Sequence, residues 1–262
     1  MSNKNYSYKE YNDALNNRID IHKKYSNFNL HGWIKQKFKI LPNQSILDMG
    51  CGNGNFINFF LSLTNNLEII GVDNNRDLLN ELQRDLKIPN VSLIHEDFDN
   101  FKISNKKFDW IFFIYSIYYS QKPEELINKM FNLLKKNGSL VIIGPGKSNA
   151  IELDKLNKNV TGMDPKPEYT ERQQRIENEF YKIAIKNFKE ENVSLEILNN
   201  FLNFPDANEY AHYYWSTLLW RDSIERLQSP DLNVLKNETL NKIQLLTNLK
   251  INKQVSVLVA KL

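Results

Sequence analysis

A single cysteine, Cys51, in 262 residues excludes an internal disulfide, and four scattered histidines are too few to join it in a Cys/His zinc cluster. An excess of charge of one sign is also missing. Thirty-four Lys and Arg against 31 Asp and Glu leave a net +3, which excludes a polybasic nucleic-acid tail and a disordered polyelectrolyte. No stretch approaches the roughly 18 apolar residues of a membrane-spanning helix, and the N-terminus MSNKNYSYKEYNDALNN lacks the apolar core of a secretory signal. A reducing, cytoplasmic setting and a site without metal are expected. Asn and Lys are abundant but spread evenly, so they carry no functional weight.

What is present is the patterning of a folded α/β chain. From residue 45 onward short apolar runs alternate with helical-period segments, as in βα units that place helices on both faces of a mostly parallel sheet. Ser45–Met49 reads as a buried strand, and Asn55–Leu63 as a helix with Phe56, Phe59, Phe60 and Leu63 on one face. Strand Leu67–Val72 precedes a helix over Asn75–Leu86 that stops before Pro89, and Val91–Ile94 is a third, short strand. Asp109–Ile114 (DWIFFI) is apolar on both faces and belongs at the centre of a sheet. Pro123 opens a helix, Gly138 is expected just past its end, and Ser139–Ile143 is a fifth strand.

After Gly144-Pro145-Gly146 the rhythm changes. Residues 147–192 hold no convincing strand and include a charged amphipathic helix from about Thr170 to Lys189, which reads as a cap insertion with a solvated charged face. Val193–Leu202 and Gln254–Leu262 alternate like closing strands, with helical material over Ala207–Leu218 and Pro230–Leu246 between them, and the sheet is expected to end antiparallel. Residues 1–40, which carry Tyr6, Tyr8, Tyr11 and Trp33, are helical in pattern and expected over the carboxyl edge of the first strand. The whole reads as one domain over 1–262: an N-terminal helical segment (1–40), a cofactor-binding core (45–146), the cap (147–192) and completion of the sheet (193–262).

Chemistry concentrates in Ile46-Leu47-Asp48-Met49-Gly50-Cys51-Gly52-Asn53-Gly54-Asn55-Phe56, a strand that ends in an acid and passes through alternate glycines into a helix. A turn without side chains lets backbone approach a ligand closely, in the crevice beyond the carboxyl ends of the strands. The dinucleotide pattern Gly-x-Gly-x-x-Gly fails, because Asn55 stands at its third glycine. Asp48 would also repel a pyrophosphate and suits a ligand with an ammonium group instead.

This stretch resembles motif I of the class I S-adenosylmethionine-dependent methyltransferases. The resemblance continues through Gly71-Val72-Asp73-Asn74, Glu96-Asp97-Phe98, Phe108-Asp109-Trp110-Ile111 through Tyr119, and Leu133-Leu134-Lys135-Lys136-Asn137-Gly138-Ser139-Leu140, spanning about 45–146 in family order. It implies a Rossmann-like seven-stranded sheet with helices on both faces and an antiparallel last strand. It also implies S-adenosyl-L-methionine as cofactor, its methionine part held by Asp48 and the turn Gly50, Cys51, Gly52, Asn53 and Gly54. Asp73 with Asn74 would take the ribose hydroxyls, Asp97 with Phe98 the adenine, and Tyr115 would lie near the methyl donor. Taken alone, Asp73 reads equally well as a helix cap and Asp97 as a turn residue.

For the acceptor side the residues offer His212, Tyr118 and Tyr119 as candidate catalytic groups, with Ser116 beside them. His212 lies in Tyr210-Ala-His-Tyr-Tyr-Trp-Ser-Thr, and the near-neutral pKa of histidine suits a general base. His95 reads as structural or cofactor-adjacent, and His22 and His31 as surface residues of the N-terminal helices. Tyr213, Tyr214, Trp215 and Trp220 read as acceptor-pocket walls or cap core. The Asp/Asn-Pro-Pro-Tyr/Phe element of methyltransferases acting on base or glutamine amino groups is absent after the fourth strand. The expected activity is methyl transfer to a small-molecule acceptor, without membrane or nucleic acid. The alternatives are an RNA or protein methyltransferase, a catalytically silent S-adenosylmethionine-binding protein and, less favoured, a nicotinamide oxidoreductase. Acceptor identity and oligomeric state are not written in these motifs.

Overall fold

The computed structural model describes residues 12–85 and 89–262. The tyrosines at 6, 8 and 11 and the end of the second expected βα helix lie outside them. Helices α1 (Asn12–Tyr25) and α2 (Leu30–Lys37) precede strand β1 (Ser45–Met49). Then follow α3 (Asn55–Leu63), β2 (Glu68–Asp73), α4 (Arg76–Asp85), β3 (Val91–His95), β4 (Phe108–Ile114), α5 (Pro123–Leu133) and β5 (Leu134–Pro145). The second half adds α6 (Ile151–Thr161), α7 (Pro167–Arg175), a π-helical turn (Ile176–Phe180), α8 (Tyr181–Phe188), β6 (Val193–Leu198) and β7 (Phe201–Asn203). It closes with α9 (Ala207–Trp215), α10 (Leu218–Arg226), α11 (Leu232–Gln244), β8 (Lys250–Asn252) and β9 (Val255–Lys261).

Seven strands form one sheet in the order β3-β2-β1-β4-β5-β9-β6. The first five run parallel, and β9 pairs antiparallel with both β5 and β6. This is a Rossmann-like sheet with the antiparallel closing strand that the resemblance implies. The period-2 alternation of strand side chains divides its core in two. Leu47, Met49, Ile111, Phe113 and Leu140 face α5 and α8 on one side. Ile46, Ile69, Phe112, Ile114 and Val141 face α2, α3 and α4 on the other. Because β1 and β4 are covered on both faces, their sequences are nearly continuous apolar runs.

A third core belongs to the cap. Ile21 of α1, Leu153, Leu156 and Val160 of α6, Leu202 of β7, Tyr210, Tyr213 and Tyr214 of α9, Trp220 of α10 and Ile243 of α11 pack together beside the carboxyl ends of the strands. The mid-chain cap expected over 147–192 therefore divides. Residues 151–161 join the cap, but Ile176, Phe180, Ala184 and Phe188 pack on the sheet as its ordinary flanking helix. The charged run of that helix is not wholly solvated either. Arg175 is 5% exposed and donates through Nη1 to the carbonyls of Tyr118 and Ser120, both at 2.7 Å.

Two boundaries differ from the sequence pattern. Gly138 does not cap α5: the chain passes straight into β5 at Leu134, and the ladder with β4 bulges between Leu134 and Ser139. Asn137 takes the left-handed conformation (φ 67°), while Gly138 lies so close to β4 that a Cβ would sit 2.9 Å from the Phe108 carbonyl oxygen. The alternating run Val193–Leu202 also breaks. Its end pairs with β8 in a separate two-stranded ladder under the cap.

Gly54 shows how tightly the first βα unit is assembled. Its φ is +76° and an added Cβ would lie 2.4 Å from Leu82 Cδ1 of α4. Gly54→Ala is expected to cost about 2–4 kcal/mol of unfolding free energy from strain plus overpacking. In urea denaturation, the double variant with Leu82→Ala should show a favourable coupling between the two changes. Strict additivity would contradict a Gly54–Leu82 contact.

Candidate active site

The bend after β1 is built from backbone hydrogen bonds that only small residues permit. The amides of Gly50 and Cys51 both donate to the Val72 carbonyl (2.7 and 3.1 Å), and Gly54 N–H donates to the Cys51 carbonyl at 2.9 Å. Gly50 has φ +81°, and a Cβ there would meet Ser116 Cβ at 2.3 Å; that serine anchors the β4 tip by donating its hydroxyl to the Met49 carbonyl at 2.6 Å. A Cβ on Gly52 would point into space where, among the described residues, its one neighbour within 4 Å is Leu15 of α1, 3.8 Å away. The bend is a cradle facing a cavity.

Around it lies a cavity of about 1280 Å³, walled by the bend, the tips of β1 to β5 and the inner side of the cap. A drug-sized ligand occupies a pocket of about 300–1,000 Å³, so this cavity has room for more than one small ligand. Asp48, Gly50, Cys51, Gly52, Asn53, Asp73, Asn74, Asp97, Phe98 and Tyr115 all reach its wall, as do Ser116, Tyr118 and Tyr119. Gly54 does not; it packs under the bend against Leu82.

Asp48 is 2% exposed, and its Oδ2 has no hydrogen-bond partner. Burial, then the neighbouring Asp73, push its pKa up to about 7. Asp73 accepts from Gly52 N–H through Oδ2 and from Asn75 N–H through Oδ1, both at 2.8 Å. Its pKa is raised by burial, an effect the backbone donors oppose. Each carboxylate oxygen carries two lone pairs, so Asp73 keeps acceptor capacity for a ligand's hydroxyls. The helix-cap role belongs instead to Asn75, whose Oδ1 accepts from Asp77 N–H and Leu78 N–H. Asp97 Oδ1 accepts from Asp99 N–H at 2.8 Å, and the Phe98 ring stands at the cavity wall against Phe113, centroids 6.0 Å apart. Burial and the two neighbouring aspartates raise the Cys51 thiol well above its usual value, so it is no nucleophile.

His95 is fixed by its neighbours. A guanidinium only donates, so Nδ1 accepts from Arg76 at 3.3 Å and Nε2–H donates to the Asn74 carbonyl at 3.1 Å. His31 stacks on Phe59 with centroids 4.4 Å apart, and burial lowers its pKa.

The acceptor-side expectations fare unevenly. His212 is solvent-exposed on the outer side of α9, beside Trp215, and does not line the cavity. The helical spacing instead turns Tyr213 inward, where its hydroxyl meets His22 Nε2 of α1 at 3.4 Å. Tyr214 and Trp220 are cap core, and Trp215 packs toward Thr239 of α11. Tyr118 donates its hydroxyl to the Tyr115 carbonyl at 2.8 Å. Burial raises the hydroxyl pKa of Tyr115, Tyr118 and Tyr213, so at neutral pH all three are protonated and poor bases. Burial, together with Lys253 and Arg18, lowers His22 to about 3, so its imidazole stays neutral. Arg18, Arg172 and Lys253 also line the cavity and were invisible as site residues in the sequence. They stand on α1, on α7 and in the β8–β9 connection, and no motif spacing links them.

A family model described as a methyltransferase domain matches residues 40–189. The chain belongs to this family, the class I S-adenosylmethionine-dependent methyltransferases. Carboxy-S-adenosyl-L-methionine synthase of Helicobacter pylori strain J99 is 31% identical over 106 residues, 40% of this chain and 44% of the relative. The chain thus matches under half the length of that relative. Among solved structures, the YcgJ protein from Bacillus subtilis superposes with a TM-score of 0.58 at 12% identity, covering 88% of this chain and 97% of that one. The plantazolicin methyltransferase BpumL, in complex with a triazolic desmethylPZN analog and SAH, superposes at 0.52 and 16% identity, over 95% and 91% of the two chains. At these identities the likeness is one of fold. In this chain the fold brings Asp48 of β1, Asp73 of β2 and Asp97 of the β3–β4 connection to one cavity.

A buried carboxyl whose native pKa lies above its unfolded value binds its proton more tightly when folded. Its contribution is therefore fully present below about pH 4 and lost as pH rises through about 7. Asp48→Asn removes this loss. The stability of the ligand-free variant relative to the parent should rise between pH 5 and pH 8 by on the order of 2 kcal/mol, measured by urea unfolding at both. A pH-independent difference would contradict the raised pKa.

Proposed function

We propose that this protein transfers the methyl group of S-adenosylmethionine to a small-molecule acceptor in the roofed cavity. The observation that carries the reading is the orphaned Asp48 Oδ2 beside the glycine bend, with Asp73 and Asp97 at the neighbouring tips. A buried, unpartnered carboxylate calls for a cation, and the ammonium of the methionine part supplies one. In this reading Asp48 and the backbone of Gly50–Asn53 hold the methionine part, Asp73 and Asn74 the ribose hydroxyls, and Asp97 and Phe98 the adenine.

When bound, S-adenosylmethionine supplies a methyl group already activated by its sulfonium. The chain's part is then to hold the acceptor in line and keep water out. Tyr115, at φ 56°, and Tyr119 stand at the wall between the strand tips and the cap, where aromatic faces suit a sulfonium. Tyr118 shapes this wall through its bond to the Tyr115 carbonyl. With protonated tyrosines and a weakly basic His22, positioning rather than strong-base catalysis is the favoured mode, and His212 has no part in it.

The cap favours a small acceptor over RNA or protein. Leu15, Arg18, Ile19 and His22 of α1, Leu153 of α6 and Tyr213 of α9 roof the chamber, and Asn53 Nδ2 of the bend donates to Asn16 Oδ1 of α1 at 2.7 Å. Among the described residues no helix is long and apolar enough to cross a membrane.

Calorimetric titration with S-adenosylhomocysteine should show micromolar binding, weakened at least about 100-fold in Asp73→Ala, which removes two or more hydrogen bonds to a buried site. His212→Ala should bind within twofold of the parent. Unchanged affinity in Asp73→Ala, or preferential binding of NADH, would overturn the reading.

A further inference from the structure

The cavity wall is segregated by charge. Among the described residues, every carboxylate that lines it lies between positions 48 and 99, on the strand-tip side: Asp48, Asp73, Asp77, Asp97 and Asp99. The cap side contributes Arg18, Lys23, Arg172 and Lys253 instead, and the Arg76 guanidinium, which lines the strand-tip side, donates to His95 Nδ1 at 3.3 Å. Arg172 lies over the Tyr119 and Tyr169 rings, 5.2 and 5.6 Å from their centroids, and Arg18 donates to the Ser216 carbonyl at 2.8 Å. Both guanidiniums are thereby fixed in place.

Lys253 is the anomaly. It follows β8, its backbone amide is tied to the Asn200 carbonyl at 2.7 Å, and its ammonium lies 5.8 Å from the Tyr213 ring centroid. Among the described residues it has no salt-bridge or hydrogen-bond partner for Nζ. Burial and Arg18 push its pKa down to about 8, and the carboxylates of Glu152 and of Asp154, whose own Oδ1 is buried without a hydrogen-bond partner, only partly oppose this. Neither of those acids reaches the cavity wall, and Glu152 already accepts from Asn252 N–H at 3.1 Å. An ammonium held away from water without a hydrogen bond or salt bridge is costly unless an anion joins it.

We propose that the cap side of the cavity is an anion subsite, in which Lys253, flanked by Arg18 and the Tyr213 hydroxyl, binds a carboxylate or phosphate group of the methyl acceptor. The inference rests on the methyltransferase reading for the word acceptor, but the subsite itself is a property of the cap. Its charge lies opposite the acids assigned to the cofactor, so a zwitterionic chamber sorts the two ligands to opposite ends. A neutral or cationic acceptor would leave Lys253 unpaired.

The test is calorimetric titration of the full chain, with and without saturating S-adenosylhomocysteine, using inorganic phosphate and malonate as probes. At least one anion should bind in the millimolar range. Phosphate alone would assign a phosphomonoester, and malonate alone a carboxylate. Lys253→Met, which keeps the length and removes the charge, should weaken that anion at least tenfold while S-adenosylhomocysteine binds within twofold of the parent. Lys253→Gln provides the same comparison should the first variant fold poorly, as judged by circular dichroism. No binding of either anion, or equal binding by parent and variants, would overturn the subsite. Loss of S-adenosylhomocysteine binding by the parent would overturn the cofactor reading instead, and the titrations without it would still decide the anion.

Discussion

The structure depends on holding two acidic side chains, Asp48 and Asp73, close together out of water. Neighbouring carboxylates in a buried place repel each other and lose hydration, and both effects raise the pKa of Asp48. Asp73 is compensated by the amides of Gly52 and Asn75, whereas Asp48 keeps an oxygen without a partner. The parallel sheet makes this arrangement possible. It registers Asp48 opposite Gly71 and Met49 opposite Val72, bringing the two strand tips to the same edge with a side-chain-free bend between them. A fold that keeps such strain at one edge while filling both sheet faces with apolar side chains concentrates its unmet electrostatic demand where a ligand arrives.

The other half of the cavity has a different origin. The strand-tip side comes from consecutive βα units, but the cap side is assembled from α1, α6, α7, α9 and the β8–β9 connection, segments far apart in the chain. Arg175 links the two halves. By bridging the carbonyls of Tyr118 and Ser120 from the end of α7, it fixes the turn that carries the aromatic wall, and Asp99 supports the same turn by accepting from Ser120 and from the Gln121 amide.

How much of this was legible in the sequence follows from how local each signal is. The strands and helices of 45–146 are written in period-2 and period-3.6 alternation, and α3 falls on the expected residues. The glycine bend and the acids at successive strand ends could be found because each is positioned by its own βα unit. Gly138 misled because its smallness serves close packing against β4 rather than a helix end. His212 misled because residue type marks a possible base but not the face of a short helix, and one step along α9 exchanges solvent for cavity. Lys253, Arg18 and Arg172 had no signal at all, since only tertiary packing brings them to one wall. The charged helix over 167–188 looked like a solvated cap because its apolar stripe is narrow, yet that stripe closes the sheet.

The central claim is that Asp48 waits, partly protonated, for a cationic group. Calorimetry of S-adenosylhomocysteine binding at pH 7, repeated in buffers of different ionisation enthalpy, reports the protons exchanged on binding. With the ligand-free carboxyl at about 7, ammonium binding should release about half a proton per site, and Asp48→Asn should release none of it. A binding enthalpy independent of buffer in the parent protein would contradict the account.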